Sequence, residues 1–140
     1  MPSVSSCKEI SVRFNEVDSL RMVWHGHYLR YFEDGREDFG KQHQLGYLDV
    51  YAKGFLIPLV KAELDYKRPL KYGDQALVEV TYIDDPAAKL IFDYRILNAK
   101  DRTLVCSGRT IQVFLNLENE LQLTVPDFFL EWKRKMGFPA

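Results

Sequence analysis

At 140 residues, 46% hydrophobic and 28% charged, the chain fits a single domain of ordinary globular balance. A formal net charge of −1, with no basic run longer than Lys133-Arg134-Lys135, argues against a nucleic-acid partner. No segment offers the ~20 apolar residues of a membrane span, residues 1–10 lack the basic start and apolar run of a signal peptide, and Cys7 and Cys106 are too few for a disulfide scaffold, so reduced thiols in a cytoplasmic setting are expected.

Ile10, Val12 and Phe14 alternate with Ser11, Arg13 and Asn15, which predicts a strand over 8–16 with one buried face. Glu16 to Trp24 reads as a polar loop. A long helix is predicted from His25 or Gly26 to about Leu45, with Gly46 suited to its C-cap. Tyr28, Leu29, Phe32, Gly35, Phe39 and Gln42/Leu45 recur at gaps of three and four and define its apolar face. Arg30, Glu33, Asp34, Arg36, Glu37, Asp38 and Lys41 fall between them as a solvated face. About 20 residues give a rod of roughly 30 Å, enough to cross a small domain. Gly35 in mid-helix costs up to ~1 kcal/mol against alanine, which close approach by a strand would explain.

Leu48 to Gly54 reads as a connection. Phe55 to Tyr66 is a long strand in which Pro58 marks an edge or a bulge. Arg68 to Asp74 is a turn. Ala76–Ile83, Lys89–Leu97 and Thr103–Leu117 are further strands, separated by Asp84-Asp85-Pro86 and by a hairpin turn over Asn98–Asp101. Asn116 to Glu120 closes the last strand, and Pro126 opens a short helix from Asp127 to Met136. Consecutive hairpins make an antiparallel sheet with one face to bury, and only the long helix is large enough to cover it. The expected class is α+β: a curved antiparallel sheet wrapped around one long central helix, with a short C-terminal helix. A ligand is expected at the helix start or at a subunit interface.

No G-x-S-x-G, H-E-x-x-H, C-x-x-C or Gly-rich phosphate loop is present. His25 and His27 lie two apart with His43 remote, so no metal site is expected. The chemistry concentrates between the first strand and the helix, where Glu16, Asp18, His25 and His27 precede a helix start with free N–H groups and partial positive charge. Such donors polarise a carbonyl and are worth ~3 kcal/mol each in a transition state. Asp18 could attack that carbonyl or deprotonate a water, which suits acyl transfer to water. The same residues admit a structural reading, in which Asp18 caps a turn or the helix and His25 is a surface residue.

The stretch VRFNEVDSLRMVWHGHYLRYFEDGREDF resembles the signature of the hotdog-fold acyl-CoA thioesterases, the 4-hydroxybenzoyl-CoA thioesterase and YbgC-like family. Phe14, Glu16, Asp18, Val23, Trp24, His25, Tyr28 and Arg36 fall on its positions. Ala62 to Tyr66 with Pro69 and Gly73-Asp74 is similar to the family's second strand and turn. Ser107-Gly108 through Phe114, then Val125-Pro126, is similar to its last strand and closing proline. The resemblance implies a hotdog fold and hydrolysis of an acyl-CoA or acyl-carrier-protein thioester. It also implies a homodimer or homotetramer with sites at the subunit interface, and no metal or cofactor. It makes Asp18 the catalytic carboxylate, with the backbone N–H of His25 polarising the carbonyl and its ring orienting water or substrate. Trp24, Gly26, Tyr28 and Arg21 are then expected around the substrate, and Lys67, Arg68 and Lys89 near the phosphates of coenzyme A. The chain departs from the pattern where the family has glycine, at Arg21, and where it has asparagine, at His27. Glycine would permit a positive φ. A long cation there either shifts the loop, occupies the pocket beside Asp18, or meets an anionic acyl group or phosphate. Arg21 also favours an alternative, a non-catalytic acyl-thioester binding protein on the same fold.

Overall fold

The computed structural model describes residues 2–140. Strands β1 (Ser5–Ser11), β3 (Leu59–Tyr66), β4 (Gln75–Ile83), β5 (Lys89–Asn98) and β6 (Leu104–Val113) form one sheet in the order β1-β4-β5-β6-β3. Every neighbouring pair is antiparallel. Two short strands, β2 (Phe55–Leu56) and β7 (Leu115–Asn116), pair with each other. Helix α1 (His27–His43) lies on the concave face, α2 (Tyr47–Ala52) follows it, and α3 (Asp127–Lys135) closes the far end.

Period-two alternation in β4 and β5 sends Val78, Val80, Leu90, Phe92, Tyr94 and Ile96 inward, all nearly or fully buried. Against them α1 sets Phe32, stacked on Tyr94 at 4.4 Å, and Phe39, edge-on to Phe92 at 5.1 Å. Each ring removed from water contributes on the order of 2–3 kcal/mol. Between the rings sits Gly35. A methyl there would stand 2.7 Å from Val78 Cγ1 and 2.8 Å from Val80 Cγ2, so the expected close approach is real and sets how deep the helix lies.

Arg36 was expected on the solvated face and is instead 2% exposed. Its Nε donates to Gln112 Oε1 at 2.9 Å and its Nη2 to the Leu45 carbonyl at 2.9 Å. The guanidinium lies 4.5 Å from the centre of the Phe92 ring. Nη1 has no partner among the described residues, and burial lowers the group's pKa. The face therefore turns farther than apolar spacing suggests, because amide, carbonyl and ring acceptors compensate the desolvated charge.

Element ends also differ from expectation. The 8–16 strand is shorter, Ser5–Ser11, because the chain coils into a 3-10 turn over Phe14–Glu16 when Glu16 Oε1 accepts the Arg13 N–H at 2.7 Å. Phe14, expected inside, is 74% exposed and packs edge-on to Tyr72. Helix α1 starts at His27, after Gly26, and ends when Gln44 takes a left-handed φ of 58°. Gly46 is thus not its C-cap. It is the extended N-cap of α2, its N–H bonded to Asp49 Oδ2 at 2.9 Å, in a region expected to be plain connection. The Phe55–Tyr66 strand breaks at Pro58 and carries a bulge between Leu59 and Lys61 on an edge strand, while the Thr103–Leu117 strand breaks at the buried Phe114. In α3, Lys133 belongs to no exposed basic patch: it is buried, 3.0 Å from the Asp84 carboxylate.

Gly35→Ala is expected to destabilise the fold by about 1–2 kcal/mol, since overpacking of ~1–3 kcal/mol exceeds the ~1 kcal/mol gained in helix propensity. Urea unfolding of the two proteins measures it.

Candidate functional site

The loop ahead of α1 is a small hairpin closed by an isolated bridge between Val17 and Val23. Within it the Asp18 N–H donates to the Met22 carbonyl and the Arg21 N–H to the Asp18 carbonyl, both at 2.9 Å. Arg21 reaches that turn with φ +63°, the left-handed conformation its position demands of any residue. Its side chain is exposed and makes no ion pair with Asp18 among the described residues. The turn thus forms with arginine in place, and the cation stands outside the groove that Asp18 lines. The Asp18 carboxylate accepts the Leu20 N–H through Oδ1 at 2.9 Å, which leaves Oδ2 unengaged by protein among the described residues.

Glu16 anchors the base of this hairpin. Its carboxylate, 2% exposed, takes a hydrogen bond from Tyr31 Oη at 3.0 Å and pairs with Arg30, while its carbonyl accepts the Trp24 N–H at 3.0 Å. Glu16 thus holds the loop to the first turns of α1 and faces away from Asp18.

A second segment clasps the helix start from the other side. The Val23 N–H donates to the Leu70 carbonyl at 2.8 Å, the Leu70 N–H donates to Tyr28 Oη at 3.1 Å, and Tyr66 Oη donates to the His25 carbonyl at 3.1 Å. The His27 and Tyr28 N–H groups turn back onto the Trp24 and His25 carbonyls. The N–H groups of His25 and Gly26 have no protein acceptor among the described residues. The Trp24 indole covers Gly26 so closely that a methyl there would lie 2.1 Å from the ring, and it packs 5.0 Å from the His25 imidazole.

Between loop and clasp runs a groove of about 320 Å³, lined by Asp18, Met22, His25, Tyr28, Tyr66 and the Lys67-Arg68-Pro69 turn, with Leu20 and Val23. Asp18 is the one carboxylate in that lining. Burial raises the pKa of both Tyr28 and Tyr66, so their phenols stay protonated near neutrality and neither serves as a base. Of the sequence-predicted residues, the groove brings together Asp18, His25, Tyr28, Lys67 and Arg68. Trp24 and Gly26 stand behind His25, and Arg21 is outside the lining. Lys89 does not join them: it opens β5 opposite Val113, while Tyr66 pairs with Cys106 at the other end of β6, so most of a strand separates Lys89 from the groove. Sequence reasoning did not single out Leu20, Met22 or Tyr66, of which Tyr66 alone carries a polar group into the lining. Its signal was its place as the last residue of a strand directly before a basic, proline-containing turn.

A long helix cupped in an antiparallel sheet, with a carboxylate facing an unpaired helix start, defines a hotdog protein of the thioesterase class. The chain belongs to the thioesterase-like superfamily, whose family model matches residues 12–133. It is 39% identical over 93 residues to YneP of Bacillus subtilis, assigned as an acyl-CoA thioesterase, covering 66% of this chain and 67% of that protein. It is 25% identical over 127 residues to a 1,4-dihydroxy-2-naphthoyl-CoA hydrolase of Prochlorococcus marinus, covering 86% and 83% of the two chains. In fold it matches the crystal structure of a 1,4-dihydroxy-2-naphthoyl-CoA thioesterase from Synechocystis with a TM-score of 0.82 at 23% identity, over 96% of this chain and 99% of that one. Among the described residues, no helix is long and apolar enough to cross a membrane.

Glu16→Ala is expected to cost about 2 kcal/mol in urea unfolding, because Arg30, Tyr31 and the Arg13 N–H lose one shared, largely buried acceptor.

Proposed function

We propose that the protein hydrolyses acyl-CoA thioesters at the groove beside α1, with an aromatic acyl group favoured. The observation that carries this reading is the pairing of Asp18, the one carboxylate of the lining, with the unbonded N–H groups of His25 and Gly26. A thioester is already activated, so the reaction as proposed calls on no metal or cofactor. Asp18 Oδ2 attacks the thioester carbon to give a mixed anhydride that water then cleaves, releasing the acid and restoring the carboxylate, or it removes a proton from a water that attacks the thioester carbon directly. The carbonyl becomes an oxyanion held by the helix-start N–H groups, the C–S bond breaks, and the thiolate leaves and takes up a proton. The imidazole of His25 lies at the groove to orient water or substrate. Lys67 and Arg68 at its mouth suit the phosphates of coenzyme A or of a carrier's phosphopantetheine arm. An aromatic acyl group is supported by the Tyr28 and Tyr66 rings in the lining and by relatives named for a naphthoyl-CoA substrate.

The groove lies at the end of β3, an edge strand with one side unpaired in the chain. The proposed assembly is a homodimer in which two β3 strands pair antiparallel about a two-fold axis. Opposed residues in such a pair share a face, so the sum of their numbers is even. Centring on Lys61 or Glu63 sets a like charge against itself. Centring on Ala62 sets Lys61 opposite Glu63 of the partner subunit twice, which the charges favour. The register runs from Lys61 to Glu63 about that centre, and the groove at the end of β3 then lies beside the interface.

Two outcomes test the reading. In a free-thiol release assay over aromatic and aliphatic acyl-CoAs, Asp18→Asn is expected to lower kcat by roughly 10²–10⁴-fold with an unchanged melting temperature. Binding of acyl-CoA by calorimetry with no thiol released by the unaltered protein would mark a non-catalytic binding module instead. For the dimer, Lys61→Glu is expected to weaken association about tenfold or more in sedimentation equilibrium, from roughly 1 kcal/mol at each of two pairs. Lys61→Glu/Glu63→Lys is expected to restore it.

A further inference from the structure

We infer that Tyr66 is a positioning residue for this hydrolysis: its hydroxyl fixes the peptide that carries the Gly26 N–H, and thereby the direction in which the helix start presents its unpaired donors. The inference rests on the thioesterase reading above.

The peptide joining His25 to Gly26 is planar and trans, as all described peptide bonds are, so its C=O and N–H point in opposite directions. Whatever holds the carbonyl therefore aims the N–H. Two donors reach the His25 carbonyl: Tyr66 Oη at 3.1 Å and the Tyr28 N–H at 3.4 Å. The phenol's contact is the shorter of the two, and it alone comes from a side chain. No other side chain hydrogen-bonds to this peptide among the described residues.

The tether is mounted on rigid structure. Tyr66 pairs with Cys106 of β6, and the next two N–H groups, of Lys67 and Arg68, both donate to the Val105 carbonyl, at 2.8 and 3.0 Å. The Tyr66 ring stands edge-on to Tyr28 at 5.4 Å and to His25 at 6.5 Å. Burial raises its pKa, so it remains a donor through neutral and mildly alkaline pH.

The role is separable from holding the fold together. The other two points of the clasp, Val23 N–H to Leu70 and Leu70 N–H to Tyr28, remain when the hydroxyl is removed. What is lost is aim. A misdirected N–H costs little while a neutral carbonyl is bound and much more once the oxyanion forms, so the loss falls on kcat and not on KM.

Tyr66→Phe keeps the ring and removes the hydroxyl. The expected result is a kcat about tenfold lower, a KM within about twofold, an unchanged melting temperature, and a shifted Gly26 amide resonance in an ¹⁵N-labelled sample while the amides of α3 stay in place. An unmoved Gly26 amide overturns the tether, whatever the activity does. A moved amide with unchanged kcat overturns the catalytic part, and so does a fall in melting temperature with kcat and KM changed together. If the unaltered protein releases thiol from no acyl-CoA, the thioesterase reading fails, and the Gly26 amide still decides whether Tyr66 sets the donor.

Discussion

The depth at which α1 sits in the sheet governs the rest of the molecule. That depth is set where Gly35 meets Val78 and Val80, a contact that leaves no room for a single added methyl. Stacking of Phe32 on Tyr94 and of Phe39 against Phe92 then fixes the rotation of the helix about its own axis. With depth and rotation fixed, the first residues of the helix can stand only beside the end of β3 and the turn that follows it. The groove is a consequence of how the core packs, not a feature added to it.

Around the helix start the protein divides its labour between two carboxylates in one short loop. Glu16 is spent on structure, holding Arg30, Tyr31 and the Arg13 N–H in a buried knot. Asp18, two residues on, turns to the groove and commits only one oxygen to its own turn. The difference lies in the backbone: Glu16 closes the 3-10 turn over Phe14–Glu16, whereas Asp18 lies past the Val17–Val23 bridge, inside the hairpin. A rigid knot on one side and an open acid on the other is the arrangement that positioned chemistry requires.

Much of this was legible in the residues. The apolar spacing of Tyr28, Phe32 and Phe39 located the long helix, the glycine at 35 announced a close neighbour, and the alternation in β4 and β5 gave the sheet. Asp18, His25, Tyr28, Lys67 and Arg68 do share one groove. What escaped was set by tertiary contacts that no local pattern encodes. Arg36 counts as solvated by spacing, and is buried because Gln112, distant in the chain, accepts from it. Helix α2 is six residues with no apolar period to announce it. Lys89 is a cation of the right kind at the wrong end of its strand, which only the register of β5 on β6 reveals. Tyr66 carries its meaning through one hydrogen bond to a residue far earlier in the chain.

The two ends of α1 are secured by different chemistry. Near its start the fastening is ionic, Glu16 with Arg30. Near its finish, Arg36 is gripped by an amide oxygen, a backbone carbonyl and the faces of rings. The half of the rod that carries the groove is thus the half held by charge, while the other half hangs on neutral acceptors whose grip is a matter of geometry alone.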